Sequence, residues 1–361
     1  MDLHIVGGFL GSGKTTAIIS ATKRLIAQGK RVGVITNDQG KYLVDTNFFL
    51  SNQIPAVEVT KGCFCSYYDK FEEKINELQE KERPDVIFAE SVGSSGDIVA
   101  TVIKPLLQIS NGTMPSISFS VFVDSMLLLA YLDGEELPFS ENVLYIFQKQ
   151  IEQAQILVIN KIDLLSLEET DRIRELAVKA YPQKNIILQN SNSEKDIARW
   201  CELITENQVD ASIESIEINY EKFGMGETEL AWLDQKISIK VKQGNVFLSI
   251  IELIQQIQRE LAKHNAVIGH VKFMITSSSE NIKISIPTIE QKGWEDELRH
   301  HQGNEANVLI NARVQMQPEL LKQLVANAIT AISQNPDIQI ISKKIEVFKP
   351  DVPRPTYRIS K

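Results

Sequence analysis

The feature that most constrains this chain is a glycine-rich segment close to its start. Residues 8–15 read Gly-Phe-Leu-Gly-Ser-Gly-Lys-Thr and fit the pattern G-x-x-x-x-G-K-[ST], between a β-branched run and an amphipathic helical run. The glycines allow backbone N–H groups to surround phosphate oxygens at a helix N-terminus. The lysine then neutralises the β- and γ-phosphates, and the first threonine supplies a hydroxyl for Mg²⁺. The predicted phosphate-binding residues are Gly8, Gly11, Ser12, Gly13, Lys14, Thr15 and Thr16.

The pattern of apolar residues changes once along the chain. In the first half, short β-branched runs alternate with amphipathic runs, which predicts an α/β fold with a doubly wound, mostly parallel sheet of the P-loop NTPase type. In the second half the order is strand, helix, two strands, strand and helix, which predicts a smaller α+β domain with a ferredoxin-like arrangement. The predicted divisions are residues 1–205 for the P-loop domain, 206–232 for an acidic linker, 233–349 for the α+β domain and 350–361 for an extended tail.

Two further segments should lie beside the phosphate loop. The apolar run from Asp85 to Ala89 ends in Glu90, with Gly93 three residues later. A carboxylate at this end of a strand is suited to hold Mg²⁺ or orient a water molecule, and a glycine lets a backbone N–H approach the γ-phosphate. Asp38 follows the second predicted strand and points to the same edge of the sheet, either as another metal-binding carboxylate or as part of an ordinary turn. We assign Lys14, Glu90 and Asp38 to catalysis.

The identity of the base is indicated by Asn160-Lys161-Ile162-Asp163, which follows the strand Ile156 to Ile159. Asp163 can accept hydrogen bonds from the two N–H groups on the Watson–Crick edge of guanine, and adenine offers the wrong pattern. Asn160 can reach the opposite edge, while the stem of Lys161 lies along the ring. The sequence therefore predicts GTP rather than ATP as the nucleotide.

Charge and composition exclude several classes of protein. The formal net charge of −9 argues against nucleic-acid binding, which needs a basic face. No apolar run approaches the ~20 residues that span a bilayer, and no secretory signal precedes the glycine-rich loop, so we expect a cytoplasmic protein that does not bind membranes. Three cysteines are too few for a disulfide framework, which favours reduced thiols.

Taken as a set, these motifs resemble the CobW-like GTPases, relatives of the nickel-insertion GTPases that serve urease and hydrogenase. The resemblance rests on residues 7–16, on Glu90 with Gly93, on Asn160 to Asp163 and on Gly62-Cys63-Phe64-Cys65. It covers residues 1 to about 200. It implies a slow GTPase that delivers a metal or metal cofactor to a metalloenzyme or corrinoid-protein client, with a nucleotide-dependent homodimer as a further expectation.

The predicted transition-metal site departs from that family at one position. The family motif G-C-x-C-C here reads Gly62-Cys63-Phe64-Cys65-Ser66, so one thiolate is missing. Cys63 and Cys65 precede a helix whose N-terminus favours thiolate, and they are the candidate ligands for Zn²⁺, Co²⁺ or Ni²⁺. A tetrahedral site would need further ligands from Asp38, a histidine or a partner. The alternative is that the two cysteines are small buried apolar side chains.

Two alternatives to a metallochaperone remain open from the sequence. One is a metal-independent GTPase that assists the assembly or reactivation of a corrinoid protein or methyltransferase, which the Ser66 departure and the segment around His270 favour. The other is a small-molecule P-loop kinase, which the guanine-selective Asn160 to Asp163 disfavours.

Overall fold

The computed structural model describes residues 1–38, 44–60, 62–109, 116–210, 212–278, 280–289 and 293–360, and only the backbone of residues 38, 44, 45 and 47. The contacts divide the described chain into two compact units. The first contains residues 1–38, 45–227 and 351–360, and the second contains residue 44 and residues 228–350. The division therefore falls inside a helix, and the last described residues belong to the first unit.

The first unit is built on a seven-stranded parallel sheet in the order β3-β2-β4-β1-β5-β6-β7. The strands are β1 (Asp2–Gly8), β2 (Val32–Asp38), β3 (Ala56–Thr60), β4 (Val86–Glu90), β5 (Ser116–Asp124), β6 (Ile156–Asn160) and β7 (Asn185–Gln189). Every residue of β4 and of β6 is buried, because the strands of a parallel sheet are covered on both faces. This confirms the predicted doubly wound fold.

Helices connect these strands or follow the last of them. They are α1 (Lys14–Ala27), α2 (Val44–Ser51), α3 (Tyr68–Glu82), α4 (Lys104–Gln108), α5 (Ser125–Leu132), α6 (Glu141–Gln153), α7 (Leu167–Ala180), α8 (Glu194–Glu206) and α9 (Tyr220–Glu229), with a π-helix at Val99–Ile103 and a 3₁₀ turn at Ile162–Leu164. A capping box begins α7, since Ser166 accepts from the Glu169 N–H and Glu169 accepts from the Ser166 N–H. Trp200 of α8 is fully buried in the core of the sheet.

The second unit has an antiparallel sheet in the order β10-β9-β11-β8-β12. Its elements are β8 (Leu230–Val241), α10 (Val246–Lys263), β9 (Val267–Thr276), β10 (Asn281–Pro287), α11 (Trp294–Arg299), β11 (Glu305–Gln315), α12 (Pro318–Ser333) and β12 (Ile338–Phe348). Without β10 and α11, this is the βαββαβ arrangement of a ferredoxin-like domain. Its apolar core includes residues of α10, α12 and the sheet.

The segment predicted as an acidic linker, residues 206–232, is partly regular structure. It contains α9 and the first residues of β8, because β-sheet pairing of Leu230 and Trp232 extends the strand beyond its β-branched run. The predicted tail forms neither helix nor strand over residues 349–360. Within the described part of the chain, no helix is both long and apolar enough to cross a bilayer.

Candidate functional site

The phosphate loop joins the end of β1 to the start of α1, in the place that the sequence predicts. Gly8, Gly11 and Gly13 have φ values of 130°, 74° and 88°, which favour glycine over other residues. A Cβ atom on Gly8 would also lie 2.1 Å from the carbonyl oxygen of Phe122. The loop is therefore fixed by conformation and by close backbone contact, and its N–H groups lie at the N-terminus of a 14-residue helix.

The ammonium group of Lys14 is held inside this loop. Its Nζ donates to the carbonyl oxygen of Gly8 at 2.8 Å and to that of Phe9 at 3.2 Å, and the side chain is buried. Thr16 is exposed in the first turn of α1. A positive charge and a set of helix N–H groups thus face the same concave loop, which suits a polyphosphate.

The hydroxyl of Thr15 and the carboxylate of Glu90 form the candidate Mg²⁺ site. Thr15 Oγ1 donates to Glu90 Oε1 at 2.9 Å, and both side chains are buried. They meet because β4 lies parallel to β1, with Glu90 opposite Val6. A hydroxyl and a carboxylate are the hard oxygen ligands that Mg²⁺ prefers, so the residues present fit that ion. The side chain of Asp38, the third predicted catalytic residue, lies outside the described residues.

The side chain of Asn160 connects the phosphate loop to the predicted base site. Its Nδ2 donates to the carbonyl oxygen of Ser12 at 2.8 Å, and its Oδ1 accepts from Ser191 Oγ at 2.8 Å. Gly13 packs so closely that a Cβ atom there would lie 2.3 Å from Asn160 Nδ2. The structure therefore brings together two motifs that are about 150 residues apart in the sequence.

The remaining residues of the predicted base site follow Asn160 directly. Lys161 has a left-handed backbone with φ of 66°, and its Nζ lies 2.9 Å from Asp124 Oδ2. Asp124 also caps α5 by accepting from the N–H groups of Met126 and Leu127. Asp163 lies exposed on the 3₁₀ turn that follows. Its carboxylate is therefore accessible to a base.

The segment after Glu90 leads away from the phosphate loop and is anchored by side chains of neighbouring helices. Gln150 of α6 donates to the carbonyl oxygens of Gly93 and Ser95, both at 3.0 Å. Ser94 Oγ donates to Glu227 at 2.9 Å. A Cβ atom on Gly93 would lie 2.5 Å from Leu10 of the phosphate loop. Movement at Gly93 would therefore be transmitted to both helices.

The cysteine loop, residues 62–66, is held by the amide of Asn37 at the end of β2. Asn37 Nδ2 donates to the carbonyl oxygens of Val59 at 3.0 Å and Gly62 at 2.6 Å, and Asn37 Oδ1 accepts from the Phe64 N–H at 3.1 Å. Phe64 is fully buried and stacks on Phe71 of α3, with ring centroids 4.2 Å apart. The loop is therefore fixed beside the residue that precedes Asp38.

Cys63 and Cys65 are both buried, and the structure joins them in a disulfide with Cα atoms 5.2 Å apart. The expectation of free thiols is therefore wrong for this form of the protein, because the turn at residues 63–66 puts both sulfurs on the same side. Ser66 Oγ lies 3.4 Å from the sulfur of Cys63 and 3.7 Å from that of Cys65. Reduction by two electrons and two protons would leave two thiols facing the same space.

Among the side chains that the structure describes, no group of three or more His, Cys, Asp or Glu residues is placed to hold a metal ion. These side chains therefore form no complete transition-metal site. The third cysteine, Cys201, is half-buried on α8, and burial raises the pKa of its thiol to about 11. Among the histidines, His270 is buried beside Asn311, and His300 is exposed.

Two positioning residues escaped the sequence analysis. Ser191 orients Asn160, and Asn37 holds the cysteine loop. Each follows or ends a strand of the sheet, so its location at the edge where ligands bind was the available signal. A serine or an asparagine in a loop is too common for that signal to identify either one.

One edge of the parallel sheet thus carries a phosphate loop with a buried lysine, a Thr15–Glu90 pair and the predicted base-binding segment Asn160 to Asp163. This combination defines a P-loop nucleotide-binding protein of the GTPase class. Residues 2–188 match the family described as CobW/HypB/UreG, nucleotide-binding domain. This chain belongs to that family.

Two similar proteins have curated names. One is the zinc chaperone CobW of a Sinorhizobium species, 26% identical over 218 residues, which are 53% of this chain and 59% of that protein. Another is the zinc-regulated GTPase metalloprotein activator 1 of Dictyostelium discoideum, 22% identical over 224 residues, which are 54% of this chain and 46% of that protein. The chain thus spans only about half the length of these relatives. A solved structure, the hydrogenase maturation factor HypB from Archaeoglobus fulgidus, is 17% identical with a TM-score of 0.38, covering 57% of this chain and 89% of that chain.

Proposed function

We propose that this chain binds GTP·Mg²⁺, hydrolyses GTP slowly and couples its nucleotide state to the delivery of a metal ion or metal cofactor to a client protein. The observation that carries the proposal is a small cavity lined both by the cysteine pair and by Ser95 to Ile98, the continuation of the segment that begins at Glu90. A single stretch of backbone therefore runs from the candidate γ-phosphate position to the sulfurs. The metal specificities in the names of the two curated relatives support the same reading.

The nucleotide part of the mechanism is electrostatic. Thr15 and Glu90 would hold Mg²⁺, which neutralises charge on the β- and γ-phosphates when it is bound. Lys14 adds a second positive charge, and the N–H groups of the loop add the field of the α1 N-terminus. Asn160 fixes the base against the loop through Ser12, and Asp163 selects guanine by accepting from its N–H groups. Glu90 also orients the attacking water.

The coupling follows from the contacts of Gly93. A γ-phosphate that attracts the Gly93 N–H would pull on a backbone whose carbonyl oxygens accept from Gln150. The next residues line the cavity that contains Cys63 and Cys65. Nucleotide exchange and hydrolysis would thereby change the space around the sulfurs, as in other switches that a γ-phosphate orders.

The metal part requires reduced sulfurs. Two thiolates leave a tetrahedral ion with two open positions, which a client can fill during transfer. Zn²⁺, Co²⁺ and Ni²⁺ all accept thiolate ligands. Weak two-ligand binding suits a carrier, because the ion must leave again for the client.

The test is metal binding by the reduced protein, measured with Co²⁺ through its thiolate charge-transfer absorption and by Zn²⁺ competition, with GTP or GDP present. We expect cysteine-dependent binding whose affinity differs between the two nucleotides. The variant Cys63→Ser/Cys65→Ser should lose it, and the control Cys201→Ser should keep it, because Cys201 lies on α8 away from the pair. Equal metal binding by all three proteins would overturn the metallochaperone proposal.

A second candidate is a metal-independent GTPase that assembles or reactivates a corrinoid protein or methyltransferase. The observation in its favour is that Ser66 replaces a thiolate and that the described side chains form no three-ligand group. Under this alternative, the metal assay gives no cysteine-dependent signal. The wild-type chain still binds nucleotide, and Lys14→Ala abolishes that binding. The combination of the two measurements therefore separates the candidates.

A further inference from the structure

The strap, defined as residues 351–360, forms neither helix nor strand and packs along the cysteine loop. The Thr356 N–H donates to the carbonyl oxygen of Cys65 at 2.8 Å, and Thr356 Oγ1 donates to that of Ser66 at 3.2 Å. The ring of Tyr357 meets Tyr68 edge to face, with centroids 5.2 Å apart. The strap thus lies directly over the residue that carries one of the two sulfurs.

On its other side, the strap contacts the π-helix at residues 99–103. The Ile359 N–H donates to the carbonyl oxygen of Ala100 at 2.9 Å, and the Ile359 carbonyl oxygen accepts from Ser215 Oγ at 2.8 Å. A π-helix breaks the regular ladder of an α-helix and often marks a functional position. Main-chain hydrogen bonds on both sides, with few sequence-specific demands, are how a groove holds an extended peptide.

One charged side chain anchors the strap. Arg358 Nε donates to Asp97 Oδ2 at 2.9 Å, and Arg358 Nη2 donates to the carbonyl oxygen of Ile216 at 3.0 Å. The Asp97 side chain is only 3% exposed, and its Oδ2 also accepts from the hydroxyl of Tyr220 at 2.6 Å. Burial raises the pKa of Asp97, so the carboxylate gains from a guanidinium partner. Asp97 and Pro353 both line the cavity that contains the cysteines.

Ser66 connects the strap to the sulfurs. Its hydroxyl lies within 3.7 Å of both sulfur atoms, and it also accepts from the Arg354 N–H at 3.2 Å. Its side chain therefore stands between the cysteine pair and the strap, at the position where the sequence departs from G-C-x-C-C. A neutral thiol at residue 66 would be a weaker acceptor for that N–H.

From these contacts we propose that the groove between the cysteine loop and residues 97–100 binds an extended, arginine-containing segment of the client protein, and that the strap occupies this groove when no client is bound. The partner is recognised by main-chain hydrogen bonds to Cys65 and Ala100 and by one guanidinium on Asp97. Displacing the strap exposes the sulfurs on the side from which the client enters. The inference rests on the proposed function in one respect, namely that the partner is the client protein. It adds the chemistry by which that client is recognised.

The first test measures how well the strap covers the thiols in the full chain. In a reduced Cys201→Ser background, only Cys63 and Cys65 react with a soluble maleimide. Arg358→Ala should raise the modification rate at least tenfold, and Thr356→Pro, which removes the N–H donor without changing any charge, should raise it as well. The control Arg172→Ala removes an exposed ion pair to Asp133 and should leave the rate unchanged. Equal rates in all four proteins would refute the covering role.

The second test supplies the segment in trans. A fluorescent peptide with the sequence of residues 351–360 should bind the Arg358→Ala chain at least tenfold more tightly than it binds the wild type, whose groove is filled. The same peptide with Arg358→Ala should lose that binding, as should the double variant Arg358→Ala/Asp97→Asn with the original peptide. Binding that ignores Arg358 of the peptide, or equal binding to wild type and variant, contradicts the proposal.

Neither test includes nucleotide or metal. A negative result in the peptide assay therefore does not contradict GTP binding or cysteine-dependent metal binding. A negative result in the metal assay does not contradict peptide binding in the groove. Both tests use point variants of the full chain rather than a chain truncated before the strap, because Arg358 and Thr356 can be substituted one at a time. Thermal denaturation of Thr356→Pro checks that altered thiol reactivity does not come from unfolding of the first unit.

Discussion

Replacing Gly13 by alanine should disrupt the nucleotide site through one contact. The new Cβ atom would lie 2.3 Å from Asn160 Nδ2, where no real Cβ contact is found, and the backbone φ of 88° strains any residue other than glycine. Asn160 would have to move, and it would lose its bonds to the Ser12 carbonyl oxygen and to Ser191. The substitution therefore reports on the connection between the phosphate loop and the base site.

The size of the effect can be worked out from two contributions. A left-handed alanine costs about 1–2 kcal/mol, and each lost hydrogen bond costs about 1 kcal/mol. Gly29 at the end of α1 is the matched control, since its φ is 80° but nothing lies within 4 Å of an added Cβ. Gly13→Ala should therefore be less stable than Gly29→Ala by about 2 kcal/mol, a difference in Tm of about 4–8 °C for a unit of this size.

Thermal denaturation of both variants measures the stability difference, and calorimetric titration with GTP and Mg²⁺ measures binding. A loss of about 1.4 kcal/mol of binding free energy weakens binding tenfold. Gly13→Ala should therefore bind GTP at least tenfold more weakly than Gly29→Ala. If the two variants melted at the same temperature and bound GTP equally, the close packing of Gly13 on Asn160 would not hold the site together.

Three further changes probe the account at other positions. His4 is buried in β1, and burial lowers its pKa to about 3, so only the unfolded state takes up a proton as the pH falls below 6.5. The free energy of unfolding, measured by urea denaturation, should therefore fall by about 2 kcal/mol from pH 7 to pH 5. His4→Leu should remove this loss, and the control substitution at an exposed histidine, His264→Gln, should keep it. Asp163→Asn should weaken GTP and relax discrimination against xanthine nucleotide in a competition assay, and unchanged selectivity would contradict its role. Glu90→Gln should retain GTP binding but slow phosphate release at least tenfold in a single-turnover assay, and an unchanged rate would exclude it from hydrolysis.

The parts of the fold that could be predicted are those that short segments encode. The phosphate loop needs glycine at fixed intervals, and the buried strands β4 and β6 show as continuous apolar runs. The order strand, helix, two strands, strand and helix in the second half was predicted as well. In these segments the local sequence pattern was sufficient, because the secondary-structure propensities of the residues and their tertiary packing favour the same structure.

The parts that were missed depend on distant residues. The strand β3 at the sheet edge is only partly buried, so its apolar pattern is weak. The contacts of Asn37 with the cysteine loop and of Ser191 with Asn160 join residues that are separated in sequence by 25 or more positions. The strap meets Ser66 across 288 positions, which no local pattern could indicate. The disulfide is an exception, because its partners are only two positions apart; it was missed because the cysteine spacing was interpreted as metal ligation.

The claim on which the account depends is that this sheet edge binds a guanine nucleotide. Calorimetric titration of the full chain with GTP, GDP and ATP in the presence of Mg²⁺ measures it directly. The account predicts that GTP and GDP release heat and bind at least tenfold more tightly than ATP, and that Lys14→Ala abolishes the signal. Tighter binding of ATP, or no heat from any guanine nucleotide, would contradict it.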